Sequence, residues 1–267
     1  MTPTLAEVTR QLLEVYNRFP RKRLGQHFLI DPQVVARIIS AAELGKDDLV
    51  VEIGSGLGVV TAELGKAVYH LIAVEIDQEL VSISKKILAP LPNISFVPQD
   101  ILKTDLADLA LGRHYKVVGN LPYYITSPIV EKILTASAKP ELAVVMTQKE
   151  VAERMVAKPG TKNYGSFSIF CQFYAVVELC SLVSKSSFLP WPEVSSAIVK
   201  LVPYKTAKYP VKDEHLFFDI VHAAFQQRRK KMRNSLARFE VVNSPVDLDR
   251  RPETVSIEEF AAITNAI

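Results

Sequence analysis

The stretch Val51-Glu52-Ile53-Gly54-Ser55-Gly56-Leu57-Gly58 decides the fold. A short apolar run enters a glycine-rich turn, and residues 59–66 can continue as a helix. Glycine carries no Cβ, so such a turn lets the backbone come close to a ligand. The helix N-terminus behind it adds partial positive charge. The spacing separates two kinds of nucleotide turn. A dinucleotide-binding turn follows G-x-G-x-x-G, which would put a glycine where Val59 stands. Here the third glycine comes one position earlier, at Gly58, which disfavours a dehydrogenase.

Around this turn, short apolar runs occupy residues 49–53, 71–76, 94–97, 116–118 and 143–146. They are continuous rather than alternating, the pattern of strands covered on both faces. Helical stretches lie between them, as a doubly wound α/β sheet requires. Two later runs, 176–183 and 196–202, have little helix between them and are expected as an antiparallel pair at one sheet edge. Asp31 and Pro32 read as the cap and first residue of a helix whose apolar stripe is Val35, Ile38, Ile39 and Ala42. Pro203 and Pro210 bracket a polar stretch read as a linker, and Phe217, Ile220, Val221, Ala224 and Phe225 then recur at helical spacing. The expected division is an N-terminal extension (1–20), an α/β domain (21–202), a linker (203–212) and a small helical domain (213–267).

Successive strand ends carry the chemistry. Glu75 closes the second run, about 20 residues after the glycine turn, the usual place for an acid that binds ribose hydroxyls. Asp100 follows the third run. Either acid alone would be an ordinary helix cap or solvated turn. Together with the glycines, along the carboxyl edge of an open α/β sheet, they outline a nucleotide-type site. The fourth end reads Val118-Gly119-Asn120-Leu121-Pro122-Tyr123. An amide oxygen and nearby carbonyls accept hydrogen bonds from an amino group, and a tyrosine ring stacks on a base. That set suits a flipped-out adenine read through its N6 amino group. Methyl transfer from a sulfonium to so weak a nucleophile depends on alignment and on contacts that strengthen in the transition state. It needs no general base, so none of the five histidines is read as catalytic.

The 267 residues are 48% hydrophobic and 23% charged, ordinary for a globular protein. No uninterrupted apolar stretch is long enough for a membrane span, and the first 23 residues lack the apolar block of a secretory signal. Cys171 and Cys180 have neither redox nor zinc spacing and read as reduced residues of a cytoplasmic protein; no metal site is expected. The net charge of +3 says little. Its distribution says more: Arg228, Arg229, Lys230, Lys231, Arg233 and Arg238 follow one another without an acid, and Arg18, Arg21, Lys22 and Arg23 cluster near the start. Such patches attract phosphate backbones, although a basic run on its own is ordinarily a solvated face.

Read in order, the motifs resemble one family. They are Arg21-Lys22-Arg23-Leu24-Gly25-Gln26-His27-Phe28-Leu29, the glycine turn, Glu75, Asp100 and Asn120-Leu121-Pro122-Tyr123. Gln148-Lys149-Glu150-Val151-Ala152, Tyr164-Gly165-Ser166-Phe167-Ser168, Phe188-Leu189-Pro190-Trp191-Pro192-Glu193-Val194 and Phe225-Gln226-Gln227-Arg228-Arg229-Lys230 follow. Almost end to end, the chain resembles the KsgA-type (RsmA) ribosomal RNA adenine dimethyltransferases. The resemblance implies a Rossmann-like class I methyltransferase fold, α/β, with a mostly parallel seven-stranded sheet, helices on both faces and a small C-terminal all-helical domain. It implies dimethylation of N6 on two adjacent adenines in the 3′-terminal hairpin of 16S rRNA, linked to small-subunit maturation, by a monomeric cytoplasmic enzyme. By the same similarity, S-adenosylmethionine contacts Gln26, His27, Leu29, Gly54, Gly56, Glu75, Ile76, Asp100, Ile101 and Asn120. The target adenine is held by Asn120, Leu121, Pro122 and Tyr123, with Phe188 on its other face. Arg21, Lys22, Arg23, Arg228, Arg229, Lys230 and Lys231 are the implied rRNA contacts.

The chain departs from the family pattern at His27, where Asn is usual, at Ser55 for proline, at Ser195 for Asp, and at Lys231-Met232 for Thr-Leu. The nearest rival is the Erm type, which modifies large-subunit rRNA with a shared catalytic domain; the basic tail favours the small-subunit enzyme. A non-catalytic assembly factor with the same fold is disfavoured by the intact glycine turn, acids and Asn-Leu-Pro-Tyr.

Overall fold

The computed structural model describes residues 3–239, 241 and 244–267, the side chain of Lys22 excepted. The strands are β1 (Phe28–Leu29), β2 (Leu49–Ile53), β3 (His70–Val74), β4 (Ile94–Val97), β5 (Lys116–Asn120), β6 (Leu142–Gln148), β7 (Ala175–Val183), β8 (Phe188–Leu189) and β9 (Ser196–Pro203). Seven form one sheet in the order β4-β3-β2-β5-β6-β9-β7, and β1 pairs antiparallel with β8 as a separate ribbon. The strands from β4 to β6 are parallel, and β9 runs antiparallel to β6. The two late strands do lie side by side at one edge.

The continuous apolar runs have the expected cause. Every residue of β2 and all but the last of β6 are buried, because helices cover both faces. The helices are α1 (Leu5–Val15), α2 (Pro32–Ala41), α3 (Val59–Ala67), α4 (Gln78–Ile87), α5 (Leu106–Ala110), α6 (Thr126–Leu134), α7 (Lys149–Met155), α8 (Ser166–Tyr174), α9 (Glu214–Gln226), α10 (Met232–Ser235) and α11 (Ile257–Asn265). Asp31 caps α2 by accepting the Gln33 N–H at 2.9 Å, and Pro32 opens the helix. Val34, Val35 and Ile38 then join Val50, Leu71, Val118 and Val144 in the core. The N-terminal extension is a helix started by a Thr4–Glu7 capping box, with Leu5, Leu13 and Tyr16 packed on the core.

The chain divides into two compact units, Met1–Ala152 with Glu178–Pro203, and Glu153–Val177 with Tyr204–Ile267. This differs from the sequence division in two places. Residues 153–177 cluster with the tail because α8 carries aromatics that meet those of α9; the Phe173 and Phe217 rings stack at 4.6 Å. The stretch read as a linker is not free chain. Tyr209 is buried and stacks on Phe173 at 5.8 Å, and the Lys212 N–H donates to Asn265 Oδ1 at 2.9 Å. The Tyr164-Gly165-Ser166-Phe167-Ser168 motif is part of this unit's interior. Tyr164 is fully buried and its hydroxyl donates to the Val255 carbonyl at 3.0 Å.

Sheet order reverses at β2. Strands β3 and β4 extend to one side and β5 and β6 to the other, so a crevice opens beyond the carboxyl ends of β2 and β5. Ile53 and Gly119 are register partners there. A Cβ on Gly119 would lie 2.8 Å from Leu121 Cδ2 and 3.2 Å from both the Cβ and the carbonyl oxygen of Ile53. Gly119→Ala is therefore expected to cost about 1–3 kcal/mol by overpacking. Urea unfolding should show a lower midpoint at unchanged slope, and an unmoved midpoint would contradict the close approach described.

Candidate active site

The glycine turn leaves the sheet at once. The Gly54 N–H still reaches the Val74 carbonyl at 2.9 Å, but Gly54 has φ +80° and Gly56 φ +55°, a left-handed backbone that side chains resist. A Cβ on Gly54 would sit 3.3 Å from the Asn120 carbonyl oxygen. The turn of β2 and the end of β5 are thus in contact with no side chain between them. Together with the ends of β3 and β4 they wall a cavity of about 220 Å³ within the first unit. Residues 24–29 line another side of it.

Both acids foreseen in the sequence face this cavity. Glu75 accepts the Gly56 N–H through Oε2 and the Asp77 N–H through Oε1, each at 2.9 Å. Burial pushes its carboxyl pKa up against those two backbone donors. Both oxygens keep lone pairs for hydroxyl donors. Asp100 Oδ1 accepts the Leu102 N–H at 3.0 Å, which leaves Oδ2 for a ligand amino group. Ile76 and Ile101 add apolar walls beside the acids. Leu29 lines the cavity while also belonging to the core. Gln26 lines the cavity as well. Its amide bridges the Arg21 N–H, at 2.8 Å, and Asp77 Oδ2, at 3.1 Å, so its polar atoms brace the opening motif against α4.

At the other end, Asn120 Nδ2 donates to the His27 carbonyl at 3.2 Å. This leaves Oδ1 as the amide atom available to an amino group. The Leu121 N–H bonds the Met146 carbonyl at 3.0 Å and its side chain is buried. The Pro122 turn is tied by Thr126, whose hydroxyl reaches the Pro122 carbonyl at 3.2 Å and Thr147 Oγ1 at 3.0 Å. The Tyr123 hydroxyl pairs with Ser196 Oγ at 2.7 Å, and burial raises its pKa. The Tyr123 ring lies along the His27 imidazole, centroids 5.7 Å apart and planes 22° apart.

A profile of the ribosomal RNA adenine dimethylase family matches residues 17–267. The chain belongs to that family. It is 41% identical to the ribosomal RNA small subunit methyltransferase A of Geobacillus sp. (strain WCH70), over 97% of this chain and 95% of that one. The protein of the same name from Clostridioides difficile (strain 630) is 41% identical over 97% of this chain and 94% of its own. Among solved structures, a dimethyladenosine transferase from Plasmodium falciparum superposes with a TM-score of 0.76 at 26% identity, covering 89% of this chain and 96% of the other. The 23S rRNA methyltransferase ErmE gives 0.71 at 27% identity, covering 90% and 98%.

Within this family member, several residues stand elsewhere than the sequence suggested. Phe188 is a correction: it is fully buried, opposite Leu29 in the β1–β8 ribbon, and packs in the core rather than lining the cavity. His27 lines the cavity, with its Nδ1 2.9 Å from the Pro190 carbonyl oxygen and its ring along that of Tyr123. Arg21 pairs with Asp77 at 3.3 Å and with Glu79, so it is not free for phosphate. Arg23 is exposed, and the Lys22 side chain lies outside the described residues. Arg228 to Lys231 of the basic run are not on a helix, since α9 ends at Gln226 and α10 begins at Met232. In the turn that follows, Arg228 donates to the carbonyls of Thr161, at 3.3 Å, and Lys162, at 2.7 Å. Arg229 and Lys230 are exposed, and Lys231 pairs with Asp249 at 3.6 Å. Among the described residues, no cluster of His, Cys, Asp or Glu could hold a metal ion.

Sequence reasoning missed Glu52, although a lone acid in an otherwise apolar strand was a visible signal. It lines the cavity, is buried, and its Oε2 has no hydrogen-bond partner. Burial, opposed by the neighbouring Thr61 hydroxyl and assisted by the Glu75 charge, pushes its pKa up to about 8. The folded protein therefore prefers the neutral acid, whereas the unfolded carboxyl ionises near 4.5. Stability should fall as pH climbs from about 4.5 to about 8 and then level off for this group. Glu52→Gln is expected to make that decline shallower in urea unfolding at pH 5 to 8; identical slopes in the two proteins would contradict a neutral buried Glu52.

Proposed function

We propose that this protein is an S-adenosylmethionine-dependent methyltransferase that converts two adjacent adenines in the 3′-terminal hairpin of 16S rRNA to N6,N6-dimethyladenine. It acts as a cytoplasmic monomer on the small ribosomal subunit or its precursor, and no described helix is long and apolar enough to cross a membrane. The observation that carries the reading is the contact between the glycine turn and Asn120, 3.3 Å from a Cβ that Gly54 lacks. Donor-type and acceptor-type groups border one cavity because their strands are neighbours.

The residues fit the donor. The glycine turn offers backbone to its methionine end, Glu75 offers carboxylate oxygens to the ribose, and Asp100 with Ile76 and Ile101 suits the adenine. When bound, S-adenosylmethionine supplies an electrophilic methyl group on a sulfonium. The protein's part is orientation. Asn120 Oδ1 and a neighbouring backbone carbonyl accept from the target N6 amino group and favour the form in which its nitrogen carries positive charge. Those contacts strengthen in the transition state. Tyr123 holds the flipped base by its face. Alignment of this kind can lower the barrier by roughly 7–11 kcal/mol. The methylated nitrogen releases its proton to water, so no side chain acts as a base. The second unit supplies rRNA contacts, with Arg229 and Lys230 as the exposed cations of the turn after α9. The small-subunit assignment is supported by the names of the 41% identical relatives.

Transfer of labelled methyl to small subunits from an unmethylated strain, followed by nucleoside analysis, should yield dimethyladenosine. Asn120→Ala should lose about 10²-fold or more in rate while keeping rRNA affinity within a few-fold. Labelling of large-subunit rRNA alone, or full methylation by Asn120→Ala, would overturn the reading. Replacing Arg229 and Lys230 by Ala should weaken rRNA binding and flatten its log–log salt dependence by about one unit per residue. An unchanged salt slope would make that turn an ordinary solvated surface.

A further inference from the structure

Trp191 is the single tryptophan of the chain, and it is 70% exposed. A lone exposed apolar side chain is ordinary. Two features set this one apart, and the first is that the chain holds it out. Ahead of it, β8 is paired with β1. Behind it, Lys185 Nζ donates to the Glu193 carbonyl, the Lys149 N–H donates to the Ser195 carbonyl at 2.9 Å, and β9 begins in register with β6. Pro190 and Pro192 flank the indole; each fixes its own φ, and Pro192 restricts Trp191 to extended backbone. The ring is therefore presented to solvent from a braced segment.

The second feature is its place. The carbonyl of the Pro190–Trp191 peptide lies 2.9 Å from Nδ1 of His27, a residue of the cavity wall. Tyr124 lines the same cavity and is 59% exposed, so the cavity opens to solvent just after Asn-Leu-Pro-Tyr. Trp191 thus stands one peptide unit from the rim through which a base enters. A base that leaves its strand to enter a pocket uncovers the face of its neighbour. We propose that Trp191 is a stacking platform for that neighbour: its indole takes the base adjoining the target adenine while the target occupies the cavity. The inference rests on the adenine-methylating reading above. The partner is an unpaired stretch of rRNA, recognised by its π-faces and not by base identity, since every base offers one. Donor binding uses the interior of the cavity, so the indole should control rRNA affinity and leave donor affinity alone.

The test compares wild type with Trp191→Ala, Trp191→Phe and Trp191→Leu. At saturating donor, Trp191→Ala should raise the KM for unmethylated small subunits by about tenfold, the scale of one base stacked on one ring. Its kcat, and its dissociation constant for S-adenosylmethionine by calorimetry, should stay within about twofold of wild type. Trp191→Phe, which keeps a ring face, should recover most of the loss. Trp191→Leu, apolar without a ring, should not. Because the chain has one tryptophan, protein grown with azatryptophan carries a reporter at this position alone, distinct from the tryptophans of ribosomal proteins. Its emission should be quenched, and shielded from acrylamide, on binding unmethylated small subunits in the presence of S-adenosylhomocysteine. An indole equally open to acrylamide in the bound state would overturn the inference, as would an unchanged KM for Trp191→Ala or equal rescue by Leu and Phe. If wild type forms no dimethyladenosine, the adenine reading falls and this inference with it; dimethyladenosine from wild type with an unshielded indole sinks the inference alone.

Discussion

The site depends on one contact between backbones. Strands β2 and β5 are sheet neighbours in register, and at their carboxyl ends no side chain separates them. Gly119 packs against Ile53, and Gly54 turns away with its backbone against the Asn120 carbonyl. A methyl group at Gly119 would meet Leu121 and Ile53, and one at Gly54 would crowd the Asn120 carbonyl oxygen. Everything chemical follows from this proximity: the turn that suits a donor leaves β2, and the amide that suits an acceptor leaves β5. Because both groups stand on strand ends of a packed sheet, their alignment is set before any ligand arrives. That is the condition under which orientation contributes to rate.

Electrostatics add a second layer. The cavity wall holds two buried acids, Glu52 and Glu75, whose carboxyl groups burial makes harder to ionise. Glu75 is partly compensated by the Gly56 and Asp77 N–H groups. Glu52 has an oxygen with no partner. Such a wall is poorly suited to an anion and well suited to a ligand bearing positive charge and hydroxyl donors. The cations near the opening motif, by contrast, are spent on structure. Arg18 and Arg21 both pair with Asp77 and Glu79, and Gln26 ties the same Asp77 to the chain ahead of β1.

Much of this was legible in the sequence, for physical reasons. Strands covered on both faces are largely apolar, so residues 49–53 and 94–97 marked β2 and β4 to the residue, although β4 is only partly buried and β2 carries Glu52. Asp31-Pro32 marked the start of α2, and the glycine spacing disfavoured the dinucleotide turn. What failed was whatever depended on partners far along the chain. Phe188 looked like a stacking ring, but its pairing with Leu29 commits it to the core. Arg21 and Arg228 looked like phosphate ligands, yet each has an intramolecular acceptor that no local pattern announces. The polar stretch after β9 read as a linker because Tyr209 has no periodic neighbours in sequence, although in space it stacks on Phe173. His27 could be seen to matter, but its engagement with Pro190 and Tyr123 needs contacts across more than ninety residues.

The account stands most directly on where the donor lies. A crystal structure of the protein soaked with S-adenosylmethionine decides it. The account expects ribose hydroxyls on the Glu75 carboxylate and the sulfonium methyl pointing at the space beside Asn120 Oδ1 and the Tyr123 ring. Donor density outside the cavity, or a methyl directed away from Asn120, would contradict it.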